Sequence, residues 1–214
     1  MRTNMTQQGI LIVLSGPSGA GKGTICRELL RSNPNLQYSI SATTRQPRAG
    51  EANGINYWFL SKHEFESMAE QNDLLEWAEV YGNYYGTPRR YVAEQLESGK
   101  DVVLEIDIQG AMRVKEKFPE GVYIYIIPPS SDELAERINK RGTDSPDSIK
   151  KRLGCASEEL SCVYNYHYLV VNDKIASAVR NIEAIIAAEK CKVQRNHNLI
   201  ENFFRHSCVR KEDL

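Results

Sequence analysis

Short apolar runs alternate with segments of helical periodicity along most of the chain. The apolar runs are rich in β-branched residues and predict buried strands at 10–14, 102–108, 122–127 and 168–171. Apolar residues spaced three and four apart predict helices over 22–31, 88–97, 110–117, 131–140 and 175–192. Ser131, followed by two acidic residues, is the expected N-cap of the fourth helix. Strands and helices in alternation indicate an α/β fold, with a parallel sheet flanked by helices on both faces.

Two stretches depart from this rhythm. Residues 38–87 are rich in Tyr, Ser, Thr and Gly, and their short strands and turns predict an inserted mixed-β lobe. Residues 141–148 (RGTDSPDS) form a polar loop between two predicted helices, as expected of a mobile flap. The tail 196–214 is polar apart from two phenylalanines, which leaves a short helix and a disordered tail as alternatives. We therefore expect a core of 9–37 and 88–195, the lobe 38–87 inserted in it, and a small lid over 137–152.

Composition and charge exclude several classes of partner. A chain of 214 residues with 41% hydrophobic residues can bury a sizeable core, and its net charge of −1 provides no broad basic field for nucleic acid or a membrane surface. Any anion must therefore be bound by local clusters. The five cysteines show no C-x-x-C spacing, which indicates reduced thiols in a cytoplasmic protein. We find no signal-peptide pattern and no stretch near the roughly 20 apolar residues of a membrane span.

The sequence SGPSGAGKGT follows the first predicted strand and opens the first predicted helix. Gly16, Gly21 and Lys22 match the spacing G-x-x-x-x-G-K of a P-loop, whose glycines let backbone N–H groups point at a phosphate. A strand before the loop and a helix after it are the context that this motif requires; the alternative is a glycine-rich turn with a surface lysine. Gly23 stands where Ser or Thr usually supplies a magnesium-binding hydroxyl, so the metal is expected to bind through water or with help from Thr24.

Four further stretches, taken with this loop, resemble the guanylate kinase family. They are SATTRQPRAGEANGINY (41–57), LLEWAEVYGNYYGT (74–87), VLEIDIQGA (103–111) and RINKRGTDSPDSIKKRL (137–153). The resemblance runs in unbroken order over residues 10–192. It implies a P-loop NTPase-type core with an inserted GMP-binding lobe and a lid. The ATP-binding residues that it implies are Gly16, Pro17, Ser18, Gly19, Ala20, Gly21, Lys22, Gly23, Thr24 and Asn172.

Arg45 and Arg48 lie in a stretch with little helical character, and two guanidinium groups converging on one phosphate suit a nucleoside monophosphate. A solvated surface pair is the alternative. Glu76 is either an outward charge on a half-buried strand or, as the resemblance implies, a carboxylate that faces the N1–H and N2–H2 donors of guanine. The full set that the resemblance assigns to GMP is Ser41, Arg45, Arg48, Tyr57, Glu76, Tyr85, Thr87 and Asp107.

Glu105 and Asp107 alternate in VVLEIDI, so both are expected to leave the same face of a strand. The resemblance places this strand end near the metal, where Thr24 and Asp107 would hold Mg²⁺ through water; the family usually has Asp in place of Glu105. Arg137 and Arg141 share a helix face, where solvated charges are the alternative to a phosphate-binding role. The catalytic residues that the resemblance implies are Lys22 and the lid arginines Arg137, Arg141 and Arg152.

The function implied is transfer of a phosphoryl group from ATP to GMP, and also to dGMP, with Mg²⁺ as cofactor. The acceptor oxygen is already ionised at neutral pH, so no catalytic base is required. Two alternatives are a kinase for another nucleoside monophosphate and a guanylate-kinase-like module that binds phosphorylated peptides. The expected partners are ATP and GMP or dGMP, without nucleic acid or membrane, for a cytoplasmic monomer or homo-oligomer.

Overall fold

The computed structural model describes residues 8–80, 82–140 and 161–206. The strands in this part of the chain are β1 (Leu11–Ser15), β2 (Leu36–Tyr38), β3 (Ala42–Thr43), β4 (Trp58–Phe59), β5 (Leu74–Val80), β6 (Asn83–Pro88), β7 (Asp101–Glu105), β8 (Val122–Ile127) and β9 (Tyr168–Val171). The α-helices are α1 (Lys22–Ser32), α2 (Lys62–Glu70), α3 (Arg89–Glu97), α4 (Ile108–Lys117), α5 (Ser131–Lys140), α6 (Ile175–Lys190) and α7 (His197–His206).

The larger sheet is parallel throughout, in the order β2-β7-β1-β8-β9. β1 is buried at every position because helices cover both faces of the sheet. α1 and α6 pack on the face of Ile12 and Leu14, whereas α3 and α4 pack on the face of Leu11 and Val13. This is the α/β architecture that the alternating pattern predicts. The carboxyl ends of β1, β2 and β7 meet at one edge of the sheet, where open α/β folds bind their ligands.

The strand predicted at 102–108 is shorter than expected. β7 ends at Glu105, and Asp107 is the N-cap of α4, where its carboxylate accepts a hydrogen bond from Gly110 N at 2.7 Å. The expectation that Glu105 and Asp107 leave the same face of one strand is therefore wrong. The Asp107 carboxylate satisfies a helix N–H that would otherwise lack a partner, which favours starting a helix here over extending the strand.

The N-cap of α5 lies one residue earlier than predicted. Ser130 Oγ accepts a hydrogen bond from Glu133 N at 3.1 Å, and Ser131 is already the first helical residue. The two acidic residues of the first turn are as expected.

The smaller sheet lies within the inserted stretch, in the order β4-β3-β6-β5. β3 and β4 are parallel, and the other two pairs are antiparallel. The sequence interpretation missed α2, which packs beside this sheet and buries Phe65. Its signal is a capping box: Ser61 Oγ accepts from Glu64 N at 3.2 Å, and Glu64 Oε2 accepts from Ser61 N at 2.7 Å.

Much of the predicted lid lies outside the described residues. The flap 141–148, Arg141 and Arg152 all fall there, whereas Arg137 is carried by α5. The tail begins as a helix, α7, and residues 207–214 are not among those described. Within the described ranges, no helix combines the length and the apolar character needed to cross a membrane.

Candidate active site

The loop between β1 and α1 curls around the ammonium group of Lys22. Lys22 Nζ donates to the carbonyl oxygens of Gly16 at 2.6 Å and Pro17 at 3.1 Å. Gly16 and Gly21 have positive φ angles of 141° and 89°. A side chain at Gly16 would lie 2.1 Å from a carbonyl oxygen of β8, and one at Gly21 would lie 2.4 Å from Asn172 Nδ2. Both positions therefore require glycine, and the loop forms a cradle for an anion at the N-terminus of α1.

Asn172 supports this loop from behind. Its side chain is buried at 1% exposure, and Nδ2 donates to Ala20 O at 2.7 Å. Its own backbone carbonyl accepts a hydrogen bond from Arg137 at 3.1 Å, and Arg137 also pairs with Glu133 at 2.9 Å. Asn172 thus links the P-loop to the helix that carries the first of the predicted lid arginines. Its predicted contact with ATP stays a prediction.

Glu105 lies beside the P-loop, against the space that Gly23 leaves open. A side chain at Gly23 would lie 3.3 Å from Glu105 Oε2. The Tyr38 hydroxyl is hydrogen-bonded to the same carboxylate. The pKa of Tyr38 is raised, first by burial and second by the charge of Glu105. The two departures from the usual pattern, Gly23 and Glu105, are therefore neighbours in space. Thr24 is exposed in the first turn of α1.

Glu76 and Thr87 lie opposite each other on the antiparallel strands β5 and β6. They are buried, at 4% and 0% exposure, and Thr87 Oγ1 donates to Glu76 Oε1 at 2.7 Å. Asp107 lies on the other side of the Glu76 carboxylate, where α4 begins. Ser41 is buried directly before β3. Glu76 is therefore not the outward, solvated charge that the sequence left as an alternative.

Burial gives the Glu76 carboxyl an unusual ionisation. Desolvation raises its pKa to about 7. The hydrogen bond from Thr87 lowers the pKa, the charge of Asp107 raises it, and the charges of Arg113 and Lys117 lower it. A buried carboxylate with one short hydrogen bond is costly unless further donors reach it. A buried carboxylate with a strongly raised pKa is typical of a functional site, where a ligand can supply further donors.

Two tyrosine rings lead from the Glu76–Thr87 pair to a cation. Tyr85 precedes Thr87 by two residues on β6, so both leave the same face of the strand. The centroids of the Tyr57 and Tyr85 rings are 6.0 Å apart, and the guanidinium carbon of Arg45 lies 5.4 Å from the centroid of the Tyr57 ring. Carboxylate, aromatic rings and guanidinium thus follow one another across the lobe, in the order of the base and the phosphate of a nucleotide.

Glu51 organises the loop of the two predicted phosphate-binding arginines, and sequence reasoning missed it. Its Oε1 pairs with Arg45 Nη2 at 2.9 Å, and its Oε2 accepts from Arg48 N at 2.7 Å. These interactions, led by the hydrogen bond from Arg45, hold the pKa of Glu51 below its usual value. Arg48 is exposed. An acidic residue shortly after two arginines in a turn is too common a pattern to reveal such a role.

Comparisons with known proteins identify the family of this chain. The guanylate kinase family profile matches residues 8–189. A guanylate kinase from Caldanaerobacter subterraneus subsp. tengcongensis is 60% identical to this chain, over 92% of this chain and 95% of its own length. A guanylate kinase from Desulfitobacterium hafniense is 59% identical, over 87% of this chain and 94% of its own length. The crystal structure of guanylate kinase from Anaplasma phagocytophilum superposes with a TM-score of 0.75 at 34% identity, covering 89% of this chain and 90% of that one. The chain therefore belongs to the guanylate kinase family.

Proposed function

We propose that this protein transfers the γ-phosphoryl group of ATP to GMP, and to dGMP, forming ADP and the corresponding diphosphate. The observation that carries the proposal is the buried Glu76–Thr87 pair, which is followed by two tyrosine rings and Arg45 across the lobe. A P-loop with Lys22 at its centre provides the separate site that a triphosphate donor needs.

The hydrogen-bond acceptors of Glu76 match the hydrogen-bond donors of guanine. Guanine presents two adjacent donors, N1–H and N2–H2, to which an ionised carboxylate can accept two hydrogen bonds. Adenine presents an acceptor at N1 and no donor at C2, so it would leave the buried carboxylate unsatisfied. Sites that read a hydrogen-bonding edge reject analogues without that edge by roughly 10⁴-fold, because their own polar groups are left unpaired.

At the other end of the lobe, Arg45 would hold the phosphate of GMP. Its guanidinium pairs with Glu51, which restricts its position. Arg48, Tyr57 and Tyr85 would complete this end of the site. The acceptor is an ionised phosphate oxygen, and the chain therefore has to align the two nucleotides, neutralise charge with Lys22 and the lid arginines, and exclude water.

Magnesium fits the residues near the P-loop. The candidate donors are the hydroxyl of Thr24 and the carboxylates of Glu105 and Asp107, and hard oxygen ligands are those that Mg²⁺ prefers. Among the described residues, no group of three His, Cys, Asp or Glu side chains could hold a metal ion. Mg²⁺ in kinases is typically held by one or two carboxylates together with substrate phosphates. When bound, it would neutralise charge on the β- and γ-phosphates.

The test is an ADP-release assay with GMP, AMP, CMP and UMP, on the wild type and two variants. We expect GMP to be preferred over AMP by orders of magnitude in kcat/KM. Glu76→Gln should lower kcat/KM for GMP far more than it changes the KM for ATP, because an amide replaces one of the two acceptors. Glu79→Gln is the matched control, since Glu79 is an exposed carboxylate on the same strand.

Two results would contradict the proposal. One is a wild type that phosphorylates AMP as well as GMP, and the other is a Glu76→Gln protein with unchanged GMP kinetics. A wild type that transfers no phosphoryl group to any nucleotide would favour the phosphopeptide-binding alternative.

A further inference from the structure

The first turn of α4 lies against the buried Glu76 carboxylate. Asp107, the N-cap of this helix, also lies next to Gly110: its Oδ1 accepts a hydrogen bond from Gly110 N at 2.7 Å. A methyl group at Gly110 would lie 2.9 Å from Glu76 Oε2 and 3.1 Å from Asp107 Oδ1. A Cβ atom essentially never lies within 3.0 Å of a non-bonded heavy atom. The Glu76 carboxylate therefore occupies the space that any side chain at position 110 would need.

Neither helix propensity nor backbone strain accounts for a glycine here. Gly110 is the third residue of α4, where alanine is a better helix former than glycine. Unlike Gly16 and Gly21, it is not among the glycines with positive φ. The remaining reason is space, and the group that needs the space is Glu76.

Glu76 has little freedom to give way. It is 4% exposed, and its other oxygen is held by Thr87 at 2.7 Å. A methyl group at position 110 would nevertheless meet the far end of a side chain rather than backbone. The chain would therefore still fold, and the carboxylate would be displaced.

We propose that Gly110 is a positioning residue for base selection: its lack of a side chain lets the Glu76 carboxylate reach the edge of guanine. The inference rests on the proposed reading of guanine by Glu76. It adds that a core helix, and not only the lobe that carries Glu76, determines which base is accepted.

The test is Gly110→Ala, with kcat/KM measured for GMP and AMP, KM for ATP, and the thermal midpoint. Displacement of a positioned group by about 1 Å costs roughly 10²-fold, so we expect kcat/KM for GMP to fall by about 10- to 100-fold, mainly through KM. AMP and ATP kinetics should not change, so the preference for GMP over AMP narrows. The thermal midpoint should fall only slightly, because the gain from alanine in the helix offsets part of the cost of displacing the carboxylate. Gln109→Ala, at an exposed position of the same helix, is the matched control.

A double-mutant cycle with Glu76→Asp tests the contact itself. The shorter side chain withdraws the carboxylate from position 110, so Gly110→Ala should cost much less GMP activity in the Glu76→Asp background than in the wild type. Equal costs in both backgrounds would overturn the inference, as would a Gly110→Ala protein with wild-type GMP kinetics. If Gly110→Ala lowers kcat/KM for GMP and also raises the KM for ATP, the residue has a general structural role. That result would also overturn the inference. If Glu76→Gln alone leaves GMP kinetics intact, the proposed function fails first.

Discussion

The ammonium group of Lys22 donates hydrogen bonds to the carbonyl oxygens of Gly16 and Pro17 in the P-loop. We expect Lys22→Met to lower kcat by roughly 10²- to 10³-fold, the usual cost of removing one charge contact to a transition state. Arg27→Met is the control, because Arg27 is an exposed cation on the same helix. Steady-state kinetics with saturating GMP would measure the effect. Near-normal turnover of Lys22→Met would contradict the role of the loop.

The ionisation of Glu76 makes stability depend on pH. Its pKa is raised to about 7 in the folded protein, above the roughly 4.3 of an unfolded glutamate. The folded state therefore binds the proton more tightly, and this stabilisation is complete below about pH 4.3 and is lost as the pH rises through 7. Glu76→Gln carries no charge to desolvate, so at pH 8 we expect it to be more stable than the wild type by roughly 2–3 kcal/mol.

Urea denaturation at pH 8 and at pH 5 measures this effect. The difference between Glu76→Gln and the wild type should shrink as the pH is lowered, and Glu79→Gln should show no comparable difference at either pH because its carboxylate is exposed. A Glu76→Gln protein less stable than the wild type at pH 8 would contradict the assigned cost of burying this charge. A Glu76→Gln protein that is more stable at pH 8 but binds GMP less well would show that this carboxylate serves function at a cost in stability.

At the scale of elements, α4 joins the core to the lobe on both sides of Glu76. Lys117 Nζ donates to Leu75 O at 2.7 Å, and the guanidinium carbon of Arg113 lies 5.9 Å from the centroid of the Trp77 ring. Leu75 and Trp77 are the neighbours of Glu76 on β5. The position of the Glu76 carboxylate therefore depends on a helix that packs against the parallel sheet.

The stability of α2 should depend on its capping box. Ser61→Ala removes the hydroxyl that accepts from Glu64 N and donates to the Glu64 carboxylate, and leaves the bond from Ser61 N to that carboxylate in place. We expect a loss of about 1 kcal/mol in the free energy of unfolding, the typical cost of losing an N-cap. His63→Ala changes an exposed residue of the same turn and is the control. Equal unfolding free energies for Ser61→Ala and the wild type, measured in urea, would contradict the cap's contribution.

At the scale of the whole molecule, the two proposed nucleotide sites belong to different sheets. The P-loop follows β1 of the parallel sheet, whereas Glu76, Tyr85 and Thr87 belong to the smaller one. Phosphoryl transfer without hydrolysis requires the sites to approach and water to leave. We therefore expect the lobe 38–87 to close toward the core when both nucleotides are bound.

Small-angle scattering can test this closure. The radius of gyration should be smaller for the protein bound to a bisubstrate analogue than for the free protein. The protein with ADP alone is the control, because it fills only the P-loop side. A radius that is the same in the free and the bisubstrate-bound protein would contradict closure.

Local patterns explain which parts of the fold could be predicted. The strand, loop and helix around Lys22 are contiguous, so the spacing of glycines and apolar residues contains all of the relevant information. The stretch VVLEIDIQGA shows where this fails, because its alternation is equally compatible with a longer strand and with a strand followed by a capped helix. The hydrogen bond from Gly110 N to Asp107 favours the second. α2 was missed in spite of its capping box, since a short helix within a region of strand-like residues gives a weak periodic signal.

The sequence by itself determined the α/β class, the P-loop and the residue types that a nucleoside monophosphate kinase needs, because these are encoded in short, contiguous patterns. Only the tertiary structure decided that Glu76 is buried between Thr87 and Gly110, that Glu51 holds Arg45, and that Glu105 lies against Gly23. The Glu76 and Glu105 contacts join different elements of the fold, and the pairing of Glu51 with Arg45 depends on how their loop folds back on itself. Such contacts depend on how the chain packs in space, and no local spacing specifies that.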